Sequence, residues 1–113
     1  MAELYIGLMS GTSLDGVDGV LADFSGAFPR VRAHASGAFP AWLRAELLAL
    51  NSSGSDELHR SALAANALVR VYAGVVTELL RPSGQQASAV RAIGAHGQTV
   101  RHRPGEFDTT GYT

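Results

Sequence analysis

Two stretches of this sequence hold residues that could do chemistry: "MSGTSLDGVD" at residues 9–18 and "GAHGQTVRHRP" at residues 94–104. In the first, Gly11 and Gly16 lack a Cβ, so the backbone there can reach positive φ and approach a ligand closely. Between them Thr12 and Ser13 bring hydroxyls, and successive backbone N–H groups in a tight turn form a concave nest for an anion. Asp15 and Asp18 carry the wrong sign to touch a phosphate directly. They fit if a divalent cation, with its water, stands between carboxylate and phosphate. The same residues also spell an ordinary hairpin turn, with Asp before Gly, and composition alone leaves both readings standing. Neither G-x-G-x-x-G nor G-x-x-x-x-G-K-[ST] is present.

In the second stretch, His96 and Gln98 flank Gly97, so a side chain on each can converge on a ligand that the glycine admits. A sugar calls for such a mixed array of donors and acceptors, because each of its hydroxyls is both. Structural alternatives stand beside this. His96 can be a histidine bonded to backbone, and Arg101, His102 and Arg103 a solvated basic turn. The spacing of His34, His96 and His102 does not match a metal site.

Residues 3–9 form a strand buried on both faces, and residues 17–25 a second strand whose ends are marked by Asp18 and Asp23. After a turn at 26–29, residues 30–39 alternate, with Val31, Ala33 and Ala35 on one face and Arg30, Arg32 and His34 on the other. Three strands joined by short turns make an antiparallel meander. Pro40 opens a helix over 41–51 with Leu43, Leu47 and Leu50 on one face. Ser55 or Asp56 caps a longer helix, about 57–81, whose stripe runs Leu58, Ala62, Ala65, Val69, Tyr72, Val76 and Leu79. That stripe fits a helix packed on a sheet better than a coiled-coil seam. Residues 89–97 are a further strand, and near "TGYT" another strand is starting, so the chain reads as truncated.

Composition narrows the chemistry. The chain has 113 residues, 46% of them hydrophobic, enough for one core but not for the two lobes of a cleft enzyme. A net charge of −1 gives no field favouring nucleic acid or an anionic membrane. All nine basic residues are Arg, which removes a lysine-based phosphate loop or Schiff base. Without cysteine there is no disulfide and no thiolate chemistry. The N-terminus lacks the pattern of a signal peptide or membrane span, so a cytoplasmic setting is the expectation.

Taken together, "GLMSGTSLDGVD" and, about 80 residues later, "GAHGQTVRHRP" resemble the two signatures of the anhydro-N-acetylmuramic acid kinase family. The likeness covers the whole chain as the N-terminal part of a longer protein. It implies an α/β fold: a ribonuclease H-like lobe of the actin-like ATPase type, with an antiparallel three-strand meander, two helices and a further strand. The helix pair before the fourth strand is the one departure from that pattern. Residues 1–113 would be a partial N-terminal lobe of a two-lobe sugar kinase. The implied reaction uses ATP and Mg2+, opens the 1,6-anhydro ring of anhydro-N-acetylmuramic acid with water and phosphorylates the 6-oxygen, in cell-wall recycling.

By resemblance, Gly11, Thr12, Ser13, Leu14, Asp15, Gly16, Val17 and Asp18 correspond to the ATP-binding segment, and His96, Gln98 and Thr99 to part of the sugar site. No catalytic residue falls in this chain, because the family's general base and adenosine-binding lobe lie beyond residue 113. The wider superfamily opens its first phosphate motif with Asp where Met9 stands here, which leaves the metal ligands unassigned among Asp15, Asp18 and later residues. The implied partners are a small anhydro-amino sugar and the second lobe of the same polypeptide, with a homodimer allowed and neither nucleic acid nor membrane expected. The competing reading is a non-catalytic module of the same fold that binds nucleotide or a partner.

Overall fold

The computed structural model of the chain describes residues 1–11 and 14–113. Strand β1 (Leu4–Ser10) turns back into β2 (Gly16–Asp23), and β2 into β3 (Arg30–Ala38). Helices α1 (Ala41–Ala49) and α2 (Glu57–Ser83) follow, then a short 3-10 turn and strand β4 (Val90–His96). Two-residue strands β5 (Arg103–Pro104) and β6 (Gly111–Tyr112) pair as a small terminal hairpin, where the sequence pointed only to a strand beginning. The main sheet runs β3-β2-β1-β4: an antiparallel meander extended by β4, which lies parallel to β1. The mixed α/β fold and the order of strands and helices through β4 are those read from the sequence.

Helices cover one face of this sheet. Leu4, Ile6 and Leu8 of β1 and Val17 and Leu21 of β2 meet Leu43, Leu47, Ala64, Leu68, Val75 and Leu79 in one apolar core. Leu21, Leu43 and Leu79 are wholly buried, so truncating any of them to Ala should cost about 2–5 kcal/mol. The expectation that β1 is buried on both faces fails: Tyr5 and Gly7 are half-buried and Met9 is 57% exposed. An apolar run of that length looks the same whether one face is covered or two.

Three other details depart from the sequence reading. A register shift between Leu21 and Ala22 pairs those residues with Ala33 and Val31, leaving Arg32 as the extra residue of a bulge. The bulge breaks the alternation, so Ala33 and Ala35 pack on the core while Val31 is 66% exposed. In β2, Asp18 lies inside the strand rather than at its end, and Asp23 is buried. In α2 the buried stripe is Ala64, Ala67, Leu68, Val75 and Leu79; Leu58 is 87% exposed and Ala62, Ala65 and Val69 also face outward. Small residues on two faces of this helix give two stripes of similar strength, and only the sheet decides between them.

Helix ends follow simple rules. Pro40 precedes α1 and cannot use a backbone N–H there. Asp56 occupies the N-cap of α2 in the left-handed region (φ 55°) but makes no side-chain capping bond, contrary to the capping role expected for it or Ser55. Gly84 ends α2 with φ 67°, a conformation glycine adopts without Cβ strain. By length and hydropathy α2 would suffice to cross a membrane. Here one face packs on β2 and β3, and Arg60 pairs with Glu46 of α1.

Candidate functional site

Both chemical clusters sit at one end of the sheet. In the register Met9 lies between Asp18 of β2 and His96 of β4, so the hairpin tip and the turn after β4 are neighbours. They lie at the carboxyl ends of the parallel pair β1 and β4, where α/β sheets commonly hold ligands.

The antiparallel hairpin expected over residues 3–9 and 17–25 is present as β1 and β2, but Gly16, expected at its tip with Gly11, is the first residue of β2. Thr12 and Ser13 lie outside the described residues. Leu14 takes positive φ (58°) and buries its side chain, and Val17 is also in the core. These two residues anchor the loop, so only their backbone groups are left to meet a ligand. Gly16 does not supply positive φ. It sits in extended strand, where an added Cβ would lie 2.1 Å from the Gly37 carbonyl oxygen, so glycine is needed for close approach of β3. The Phe39 N–H donates to the Asp15 carbonyl at 3.3 Å and ties the loop to the end of β3.

Asp18 projects from the helix-free face, its side chain 75% exposed. It accepts a 2.6 Å hydrogen bond from the Ser36 hydroxyl and lies 3.8 Å from His34 Nε2. A groove of about 260 Å³ is lined by Gly11, Asp15, Gly16, Asp18, Ser36 and Gly37, which brings both carboxylates to one open surface. Among the described residues, no group of three His, Cys, Asp or Glu side chains is placed to hold a metal on its own. A cation here would arrive with oxygen ligands from a phosphate and water.

After β4, residues 96–101 line a second groove of about 500 Å³ together with Tyr112 and Thr113. His96, Gln98 and Thr99 therefore share one surface. The Gln98 carbonyl oxygen accepts from the Ser10 hydroxyl, and the Tyr72 hydroxyl donates to the His96 carbonyl. Arg101 is no free basic residue: its Nε donates to the Leu50 carbonyl at 3.1 Å and its guanidinium pairs with Glu57. Arg103 pairs with Glu106, and His102 Nδ1 lies 2.9 Å from the Thr113 hydroxyl. The basic run thus works as a set of tethers.

Ser10, Ser36 and Tyr72 are the contacts the sequence reading passed over. Ser10 stood next to the polar loop at the end of an apolar strand, and that position was its only signal. Tyr72 falls within the apolar stripe of α2, and nothing in its spacing sets its hydroxyl apart.

Comparison with known proteins adds the family. Residues 3–112 match the family described as "Anhydro-N-acetylmuramic acid kinase". A protein of that name from Variovorax paradoxus (strain S110) is 68% identical over 111 residues, covering 98% of this chain and 30% of the relative. One from Albidiferax ferrireducens is 68% identical over 113 residues, covering all of this chain and 29% of the relative. One from Bordetella pertussis is 61% identical over 102 residues, covering 90% and 27%. The chain thus spans about 30% of the length of the curated relatives it matches.

Proposed function

The chain belongs to the anhydro-N-acetylmuramic acid kinase family, and from that premise we propose that residues 1–113 form the N-terminal part of an ATP-dependent anhydro-sugar kinase. In this reading the lobe is ribonuclease H-like, of the actin-like ATPase type, and a second lobe of the same polypeptide closes the cleft. The observation that carries the proposal is the placement of two polar clusters, about 80 residues apart in sequence, side by side at the carboxyl ends of β1 and β4.

The hairpin groove suits the phosphate end of a nucleotide. Gly11, Gly16 and Gly37 are among the residues that line it, and Asp15 and Asp18 offer carboxylates to a hydrated Mg2+. The bound nucleotide would supply the phosphoryl group that is transferred. The chain's own part is to fix phosphate and cation before transfer, since phosphoryl transfer depends mainly on positioning and charge stabilisation. The groove of His96, Gln98 and Thr99 offers the donors and acceptors that a sugar ring needs. Water adds at C1 as the C1–O6 bond breaks, and O6 takes the phosphoryl group. The general base for this water belongs to polypeptide beyond residue 113. Cytoplasmic placement and a role in cell-wall recycling are part of the same proposal.

The test is direct. The full-length protein, given Mg-ATP and 1,6-anhydro-N-acetylmuramic acid in ¹⁸O-water, should yield N-acetylmuramic acid 6-phosphate labelled at C1. Nucleotide binding without any sugar phosphate would support the non-catalytic module instead.

A further inference from the structure

We infer that Ser10 and Tyr72 are positioning residues that hold the Gly97–Thr99 turn and set the direction of the Gln98 amide. The inference deepens the reading of that turn as sugar-facing and rests on it. Ser10 ends β1 and is only 4% exposed; with Asp23 it is one of two buried polar side chains among the described residues. A buried hydroxyl must be paired, and its partner here is the Gln98 carbonyl oxygen, 88 residues away. Ser10 also lies beside the Tyr72 hydroxyl, which donates to the carbonyl of His96, the last residue of β4. Three elements, β1, α2 and β4, therefore meet at one small network where the sheet ends and the turn begins.

The network has a chemical consequence. With its oxygen engaged by Ser10, Gln98 presents its NH2 group, which is a donor only. The remaining contact of that nitrogen, 3.4 Å to the Thr99 carbonyl, is long and weak. The amide protons are thus left for the groove that Gln98 lines with His96 and Thr99, and a sugar hydroxyl or ether oxygen can accept them. Burial raises the Tyr72 phenol above its ordinary value of 10.0, while Ser10 pulls the other way. Tyr72 therefore remains a protonated donor at neutral pH. Arg101, bound to Leu50 and Glu57, clamps the far side of the turn, so loosening the near side should act locally.

The experiment has two arms. In the ¹⁵N-labelled 113-residue chain, Tyr72→Phe and Ser10→Ala should shift the Gln98 side-chain amide signals and lower the heteronuclear NOE at residues 97–99, while β1 and β4 stay ordered. Ser10→Thr, which keeps the hydroxyl, should restore both. In the full-length protein, Tyr72→Phe should raise KM for the anhydro-sugar about tenfold with KM for ATP unchanged, the scale of one lost hydrogen bond. Tyr72→Phe keeps its ring and its packing, so it carries the test if Ser10→Ala does not fold. Unchanged Gln98 signals in Tyr72→Phe, or loosening spread evenly along β1 and β4, would overturn the inference. A loosened turn whose kinetic effect falls on ATP would keep the positioning role and overturn the sugar-facing reading.

Discussion

The Ser36 hydroxyl donates to the Asp18 carboxylate across the β2–β3 pair at 2.6 Å, on the sheet face that no helix covers. Asp18 thus has its direction fixed by a neighbouring strand yet stays open to solvent. Replacing it with Asn keeps the shape and one acceptor oxygen and removes the charge. In the full-length protein we expect Asp18→Asn to lower Mg-ATP turnover on the order of a hundredfold, the scale of a lost cation contact in the transition state. The unfolding midpoint should hardly move, because exposed hydrogen-bonded groups contribute little. Unaltered turnover at saturating Mg2+ would remove Asp18 from the proposed cation site.

Two glycines should respond in opposite ways to alanine. At Gly16 the new Cβ would meet the Gly37 carbonyl oxygen at 2.1 Å, a backbone atom that cannot move without separating β2 from β3. At Gly74, within α2, a Cβ meets nothing within 4 Å. Gly16→Ala should destabilise by about 1–3 kcal/mol, as overpacking does. Gly74→Ala should stabilise by about 0.5–1 kcal/mol through helix propensity. Urea unfolding of the 113-residue chain measures both, and equal effects would mean that the strand pair is looser than described.

Acid should unfold the chain partly through Asp23. Backbone N–H groups of Ser25 and Glu3 donate to its carboxylate and hold its pKa near 2, below the ordinary 3.8. The unfolded chain therefore binds more protons in that interval. The stabilisation is complete above pH 3.8 and is lost as pH falls toward about 2. Glu46, lowered by Arg60, and Asp108, lowered by the Gly111 and Thr110 contacts, contribute in the same direction. Asp23→Asn should flatten, without abolishing, the fall in unfolding midpoint across this window. The same slope in wild type and variant would show that Asp23 has no depressed pKa in the folded chain.

What could be read from the residues, and what could not, follows from the range of the forces. Hairpin β1–β2 and helix α1 were legible because turn chemistry and the Leu43–Leu47–Leu50 spacing act within a few residues. The parallel pairing of β1 with β4 joins segments more than 80 residues apart, and it carries no local signature. The buried face of α2 was misread for the same reason: Ala62 and Ala64 are alike until a sheet chooses one. At the site, glycine, Asp and His announced themselves by type. Ser10 and Tyr72 matter by their partners, Gln98 and His96, and no pattern in one segment can reveal a partner in another.

The 113-residue chain alone should neither phosphorylate the sugar nor bind ATP tightly. Transfer requires two bound partners held together with the developing charge stabilised between them. In the proposed reading one cleft wall, the general base and the adenosine contacts belong to polypeptide beyond residue 113. The hairpin groove, with Asp18 open to solvent, would hold phosphate in a medium close to bulk water. Charge interactions there are worth a small fraction of their strength in a closed site. Met9, Val31 and Ile93 are also exposed on the sheet, the last at 51%, so weak self-association of this chain is expected. Calorimetric titration with Mg-ATP, a sugar-phosphate assay and sedimentation at rising concentration check the three parts. Micromolar nucleotide binding or measurable turnover by this chain would move the site wholly within residues 1–113.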